Sequence, residues 1–391
     1  MKVFYIDSID VNHLYGSGGV PLYRSAILNK GEFFYFVGTS DTLLKNEWNC
    51  VKIFGATIKY FALRSPKRSK FSRNFLFALS TLTNWRKIQI IDKECRIILT
   101  RSYTILWLFS FFKKNYKVVY YAPGLGNPLE MGRFSFMSKF KNIYLFIHLR
   151  ALKKAEGLMA AVSGREVIAY NELLRKAKST IYFEQVTEAV DTEFFKPIDK
   201  SEALAQLNLP FISPKTTYVF SYIGRIAQVK GIPLIIDAFT LFCEKHSSSK
   251  LVIAGDGELY NEINEYIDNS SCWKNIHMLG SIDPFKVRNV INISNACLFG
   301  SYVEGFSLSM LEVLSCGKPI VSTTVSGTDE LIFPGVSGFT ISERNPYLYC
   351  AAMEKVININ NSSANCRSLV LNSYTIDKQW QKIMKYFTLY D

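Results

Sequence analysis

Short apolar runs recur along the chain, and most are followed by a stretch with helical spacing. Runs at 2–7, 33–39, 51–56, 96–100, 117–121, 157–163 and 180–187 read as strands with helical segments between most of them. A polar connector near 188–200 separates them from a second series, with strands near 217–224, 250–255, 276–280, 296–300 and 319–323. Strands alternating with helices predict two α/β domains built on doubly wound parallel sheets. No repeat of 20 to 50 residues appears beyond this alternation. Near the end, Ile376, Trp380, Ile383, Met384 and Phe387 fall at helical spacing, which predicts a helix with one apolar face.

Composition agrees with two cores. The chain has 391 residues, of which 48% are hydrophobic, enough for two domains of ordinary size. The opening residues MKVFYIDSID form a strand carrying Lys2 and Asp7 and show no secretory apolar region. The longest apolar stretch, Tyr103 to Phe112, is too short to cross a bilayer as a helix and stops at Lys113 and Lys114. Eight cysteines lack C-x-x-C spacing, and several, such as Cys243 and Cys297, sit inside predicted buried elements. Free thiols in a reducing cytoplasm are the expectation, and a metal cluster is not supported.

Charge divides the chain unevenly. Through Ile198 there are 30 Lys or Arg against 15 Asp or Glu, a surplus of +15, whereas the rest carries −2, within a total of +13. Such asymmetry points to a first domain that meets an anionic surface. Basic and aromatic residues interleave at 64–77, 107–117 and 133–154, and the last run reads as an amphipathic interfacial helix. An ordinary buried helix with a solvated basic face is the alternative. Nucleic acid would also attract such a patch, but no nucleic-acid-binding signature accompanies it.

Candidate chemistry concentrates in the second half. In EGFSLSMLE, Glu304 lies at a loop and Glu312 about a turn and a half inside the following helix, so both can face one ligand. Amides of Gly305, Phe306 and Ser307 are expected to point from the helix start at an anion. Upstream, the strand in TTYVFSYIGRIAQVKG ends at Gly224 and Arg225, with Lys230 shortly after, where open α/β sheets bind ligands. Arg225 offers a fork for phosphate oxygens and Lys230 a compact charge. Gly255-Asp256-Gly257 reads first as a tight strand-to-helix turn. In the first domain Gly16-Ser17-Gly18-Gly19 precedes a helix and could bring backbone amides to a phosphate, with a flexible turn as the alternative.

The segments GRxxxxKG, GDGEL, EGFSLSMLE and GKPIVSTTVSGTDELI, in this order from Tyr218 to Phe339, resemble the C-terminal half of the family 4 retaining glycosyltransferases (glycosyl transferases group 1) of bacterial surface-polysaccharide type. A looser likeness continues through 186–197 and back to the N-terminal glycine loop. The resemblance implies a GT-B fold: an acceptor- and membrane-facing Rossmann-like domain over 1–195 and a donor-binding Rossmann-like domain over 196–373, facing each other across a cleft. Residues 374–391 would form a helix crossing back to the first domain. It further implies that Arg225 and Lys230 bind the donor diphosphate, Glu312 the ribose and Glu304 the transferred sugar, with Gly18, Gly19 and Gly224 also at the donor. His13 and Tyr121 are acceptor-side candidates. Where several relatives carry a histidine near the reacting sugar, this chain has Tyr121-Ala122-Pro123-Gly124, which argues against a histidine-assisted step there.

The expected reaction is transfer of a sugar from a nucleotide-diphosphate sugar to a lipid-linked saccharide acceptor, in the building of a cell-surface polysaccharide such as O-antigen, capsule or lipopolysaccharide. Arg225, Lys230 and helix N-termini would hold the leaving diphosphate, so neither a metal nor a cofactor is expected. The family implies retention of configuration. The expected location is the cytoplasmic side of the membrane, bound peripherally to an anionic leaflet, with no nucleic-acid partner. A GT-B relative of other chemistry, such as a sugar-nucleotide epimerase, and a non-catalytic sugar-nucleotide-binding protein are the alternative classes. Sugar, nucleotide and linkage are not readable from these residues.

Overall fold

The computed structural model describes residues 2–14, 20–53, 55–64, 73–113, 115–122, 141–176, 181–213 and 218–388. Two compact units emerge: Met1–Thr187 together with Lys382–Asp391, and Glu188–Gln381. The run from Glu188 to Phe195 groups with the second unit for a local reason. Arg367 donates to the carbonyls of Thr192 and Phe195, and the Val190 amide donates to the Tyr374 carbonyl.

In the first unit the strands are β1 (Val3–Asp10), β2 (Phe34–Thr39), β3 (Trp48–Ile53), β4 (Ala56–Leu63), β5 (Ile97–Thr100), β6 (Lys117–Ala122), β7 (Gly157–Ala160) and β8 (Tyr182–Gln185). The helices are α1 (Val20–Lys30), α2 (Arg73–Thr83), α3 (Trp85–Gln89), α4 (Tyr103–Phe112), α5 (Lys141–Leu152) and α6 (Gly164–Lys176). The sheet order is β3-β4-β2-β1-β5-β6-β7-β8. All pairs are parallel except β3 with β4. The expected strand at 51–56 is therefore corrected to an antiparallel hairpin over 48–63. Gly55 turns it at a φ of +81°, the left-handed backbone such tight turns require. The core packs Phe4, Ile6, Phe61, Ile98, Ile105 and Phe109 around Trp85. The apolar stretch from Tyr103 to Phe112 is α4, a core helix, and among the described residues no helix is long and apolar enough to cross a membrane.

The second unit contains α7 (Lys200–Leu207), β9 (Val219–Ile223), α8 (Ile232–Lys245), β10 (Lys250–Ala254), α9 (Tyr260–Asp268), β11 (Ile276–Gly280), α10 (Pro284–Ile293) and β12 (Ala296–Phe299). It continues with α11 (Leu308–Ser315), β13 (Ile320–Thr323), α12 (Thr328–Leu331), β14 (Gly338–Ile341), α13 (Pro346–Val356), α14 (Ser362–Ser373) and α15 (Ile376–Thr388), whose last residues group with the first unit. Trp380, Ile383 and Phe387 are the buried side of α15. Every strand pair in the six-stranded sheet β11-β10-β9-β12-β13-β14 is parallel. Such a sheet is covered on both faces, which explains why β9, VFSYI, is buried at all five positions. Burying each large side chain such as Phe220 or Leu298 contributes roughly 1.5–3 kcal/mol. β9 and β12 are neighbours whose outward connections run to opposite sides. The sheet therefore switches direction between them, and ligands bind open sheets beyond the strand ends at such a crevice.

Candidate functional site

Both loops that leave this switch point carry candidate residues. After β9 the chain turns at Gly224, whose amide donates to the Ala254 carbonyl at 3.1 Å, while the Ile226 amide donates to the Asp256 carbonyl at 2.9 Å. The loops after β9 and β10 touch so closely that a Cβ on Gly255 would lie 1.8 Å from the Gly224 oxygen. This close approach is the role of the G-D-G turn. Tyr222 completes the anchor, since its buried hydroxyl donates to the Arg225 carbonyl at 2.8 Å and burial pushes its ionisation far up. Arg225 is thus fixed by its backbone while its side chain is exposed, with no protein partner for the guanidinium among the described residues.

A short 3-10 turn, Gln228–Lys230, carries the second cation. Gly231 closes it at a φ of +56°, pressed so close to the neighbouring loop that a Cβ would meet the Gly300 carbonyl at 2.2 Å. Lys230 reaches across the switch point to Glu304, Nζ to Oε1, at 2.6 Å, with side chains only 24% and 12% exposed. Ser301 donates to the same Oε1, also at 2.6 Å. Oε2 receives no donor from the described protein, which leaves it able to accept a ligand hydroxyl.

The helix after Glu304 begins three residues later than the sequence pattern implies. Ser307 is the cap residue of α11, without a side-chain cap bond, and the first intrahelical partner is the Leu311 amide on the Ser307 carbonyl. The open first-turn amides therefore belong to Leu308, Ser309 and Met310, not to Gly305, Phe306 and Ser307. Phe306 instead turns inward, buried against Tyr374 at 5.5 Å between ring centroids. Glu312 is half-buried as the fifth residue of α11, and loss of water pushes its carboxyl up to about 8.

Two supporting residues have no signature in the sequence. Ser301, fully buried, accepts from Thr323 at its carbonyl and orients Glu304 through its hydroxyl. Arg344 donates to the Gly300 carbonyl at 2.8 Å and lies 3.5 Å over the Tyr302 ring, tying the β14 loop to the β12 loop. Position beside the switch-point loops is the only hint, and it needs the fold.

Of the first-domain candidates, Gly18 and Gly19 lie outside the described residues. His13 projects into solvent, 83% exposed, with Nδ1 3.9 Å from Asp10. Tyr121 is corrected: it is fully buried in β6, its hydroxyl donates to the Val186 carbonyl at 2.9 Å, and Arg101 covers its ring at 4.7 Å. It is not placed to meet an acceptor. Asp7 is buried as well, and desolvation outweighs the Arg101 charge to raise its carboxyl to about 6. Basic residues 65–72 and 133–140 lie outside the described residues. α5, the described part of the 133–154 run, exposes Ile143 and Phe146 to solvent beside Arg150 and buries Ala151 and Leu152.

Comparison with known proteins places this site in context. Residues 210–369 match the family model glycosyl transferases group 1. The chain is 27% identical to an uncharacterized glycosyltransferase of Methanocaldococcus jannaschii over 64% of its length and 65% of the relative's. It is 28% identical to a phosphatidylinositol N-acetylglucosaminyltransferase subunit of Arabidopsis thaliana, over 48% of the chain and 39% of the relative. To the UDP-Gal:alpha-D-GlcNAc-diphosphoundecaprenol alpha-1,3-galactosyltransferase of Escherichia coli it is 25% identical, over 62% of each. The matches thus span between 39% and 65% of these relatives' own length. Among solved structures, sucrose-phosphate synthase of Thermosynechococcus elongatus superposes with a TM-score of 0.76 at 16% identity, covering 100% of this chain and 99% of that one. Anabaena HepE in complex with UDP-glucose does so with a TM-score of 0.72 at 16% identity, covering 99% of each. The fold is GT-B.

Proposed function

We propose that this chain, which carries a glycosyl transferases group 1 domain over residues 210–369, transfers a sugar from a nucleotide-diphosphate sugar to a lipid-linked saccharide acceptor with retention of configuration. The observation that carries the reading is the convergence at the β9/β12 switch point. An unpartnered Arg225, the Lys230–Glu304 pair and the open first turn of α11 meet there. Two fixed cations beside open amides suit a diphosphate, and a carboxylate with one free oxygen suits the hydroxyls of the attached sugar.

As the bond to the sugar breaks, positive charge grows on the sugar and negative charge on the departing diphosphate. Arg225, Lys230 and the α11 amides face the second charge, in a preorganised arrangement that needs no rearrangement during the reaction. Glu304 faces the first, held by Ser301 and Lys230. Glu312, half-buried and neutral at pH 7 in the unliganded protein, can both donate to and accept from the ribose diol. The acceptor is proposed to attack from the leaving-group side, its proton passing to a phosphate oxygen. Fixed cations take the place of a divalent ion in this scheme, so chelator is expected to leave activity unchanged.

The lipid-linked acceptor is supported by the substrates that the Escherichia coli and Arabidopsis relatives' names describe. The basic, aromatic first domain supports peripheral attachment to an anionic cytoplasmic leaflet, with α5 presenting exposed Ile143 and Phe146 beside Arg150. Cell-surface polysaccharide synthesis is the setting proposed for it. The test is incubation with a panel of nucleotide sugars and undecaprenyl-diphosphate sugars, with product identity and anomeric configuration read by NMR. Sugar transfer to the lipid with the donor's anomeric configuration kept supports the reading. Turnover to an altered nucleotide sugar without acceptor would instead identify an epimerase.

A further inference from the structure

A second set of cations lies at the opposite ends of the strands of the same sheet. There the turns entering β12 and β13, the end of α13 and the starts of α7 and α14 enclose a cavity of about 230 Å³. Lys200 and Lys318 both line it, with Ser362 and Ser363 of α14 and Asn295. Neither ammonium has a carboxylate within ion-pair distance or a hydrogen-bond acceptor among the described residues. The carboxylate adjacent in sequence, Asp199, is occupied in accepting from the Ser201 and Glu202 amides as the cap of α7.

Lys318 is half-buried, whereas Lys200 is exposed. Partial burial lowers both lysines from their usual range. Two ammonium groups that line one cavity without an internal counter-ion suit an anion that bridges them. The cavity wall is suited to one. Ser362 and Ser363 are the first residues of α14, a helix of 12 residues whose cap residue Asn361 makes no side-chain cap bond, so the first-turn amides stay open. Their hydroxyls make no hydrogen bond to the described protein.

We propose that the cavity between Lys200 and Lys318 is a second anion site, taking a phosphate group, either as free phosphate or phosphomonoester or as a lipid headgroup. It is separate from the donor site: β12 and β13 enter from its side, while Glu304 lies beyond their exits. The two sites share α11, which opens its first turn at the donor site and passes through Gly317 directly into Lys318 at its far end. The proposal does not depend on the sugar-transfer reading.

The test measures the thermal midpoint of the full chain with inorganic phosphate, at ionic strength held constant with sodium chloride. Phosphate is expected to raise the midpoint of the wild type, and the double variant Lys200→Gln/Lys318→Gln is expected to lose that rise. The double variant should also be about as stable as the wild type without phosphate, because neither ammonium has a protein partner to lose, and should keep its response to UDP. A second variant, Ser362→Asp, supplies a carboxylate inside the cavity. It should raise the midpoint without phosphate and abolish the phosphate response. Flotation with phosphatidate vesicles assigns the source, since capture of the wild type but not of the double variant identifies a lipid headgroup. A phosphate response that persists in the double variant overturns the proposal, as does the absence of both phosphate response and lysine-dependent vesicle capture.

Discussion

Replacing Glu312 with glutamine should flatten the pH dependence of folding. Its carboxyl is half-buried in α11 with no cation in ion-pair distance among the described residues, and desolvation lifts it from 4.5 to about 8. A carboxyl raised on folding favours the folded state most below its unfolded value, and that benefit is lost as pH climbs through the folded value. The interval from 4.5 to about 8 corresponds to an upper limit of about 5 kcal/mol lost by the wild type. Water kept by a half-exposed group reduces this to about 2 kcal/mol. Asp7, raised from 3.8 to about 6, pulls in the same direction but is common to both proteins, so the difference between them isolates Glu312. Urea unfolding at about pH 5 and about pH 8.5 reads the effect, with stability linear in denaturant. The Glu312→Gln protein should gain on the wild type by about 2 kcal/mol between the two pH values. Parallel stability profiles would refute the assignment of a neutral Glu312.

Arg225→Ala and Lys230→Ala should each lower turnover about 100-fold, the effect of removing a preorganised transition-state donor, measured with an identified donor sugar. Glu304→Gln should lower kcat with little change in UDP affinity, whereas Glu312→Ala should mainly weaken nucleotide binding; equal affinity losses by calorimetry would contradict the separate roles. Gly255→Ala should destabilise the second unit strongly, because its Cβ would sit 1.8 Å from the Gly224 oxygen, and an unchanged thermal midpoint would show that the loops are not locked as described. Replacing Lys67, Arg68, Lys70 and Arg73 with Glu should release the protein from anionic vesicles at fixed ionic strength while leaving UDP binding intact; a wild type indifferent to vesicle charge would remove the membrane proposal.

The second domain is legible because its strands are short, near-continuous apolar runs and its loops carry Arg225, Lys230 and Glu304 in a fixed order. Less is legible where distant chain segments decide. The 48–63 hairpin hides in a stretch whose turn is set by a single glycine, so the pattern predicts one strand where two pair antiparallel. The start of α11 is shifted because Phe306 finds a buried place against Tyr374, holding Gly305 and Phe306 outside the helix. Ser301 and Arg344 cannot be singled out from sequence, since the bond from Arg344 to the Gly300 carbonyl spans 44 positions. Tyr121 looks like an acceptor-side residue only until the fold is known, because its burial in β6 depends on Arg101 and on the chain at Val186.

Calorimetric titration with UDP-, GDP-, ADP- and dTDP-sugars reads whether the β9/β12 switch point holds a nucleotide-diphosphate sugar. Saturable one-to-one binding of at least one of these donors is expected, abolished in the Arg225→Ala/Lys230→Ala double variant whose fold is intact by circular dichroism. Binding that survives the double variant unchanged, or no binding of any member of the panel by the wild type, would contradict it.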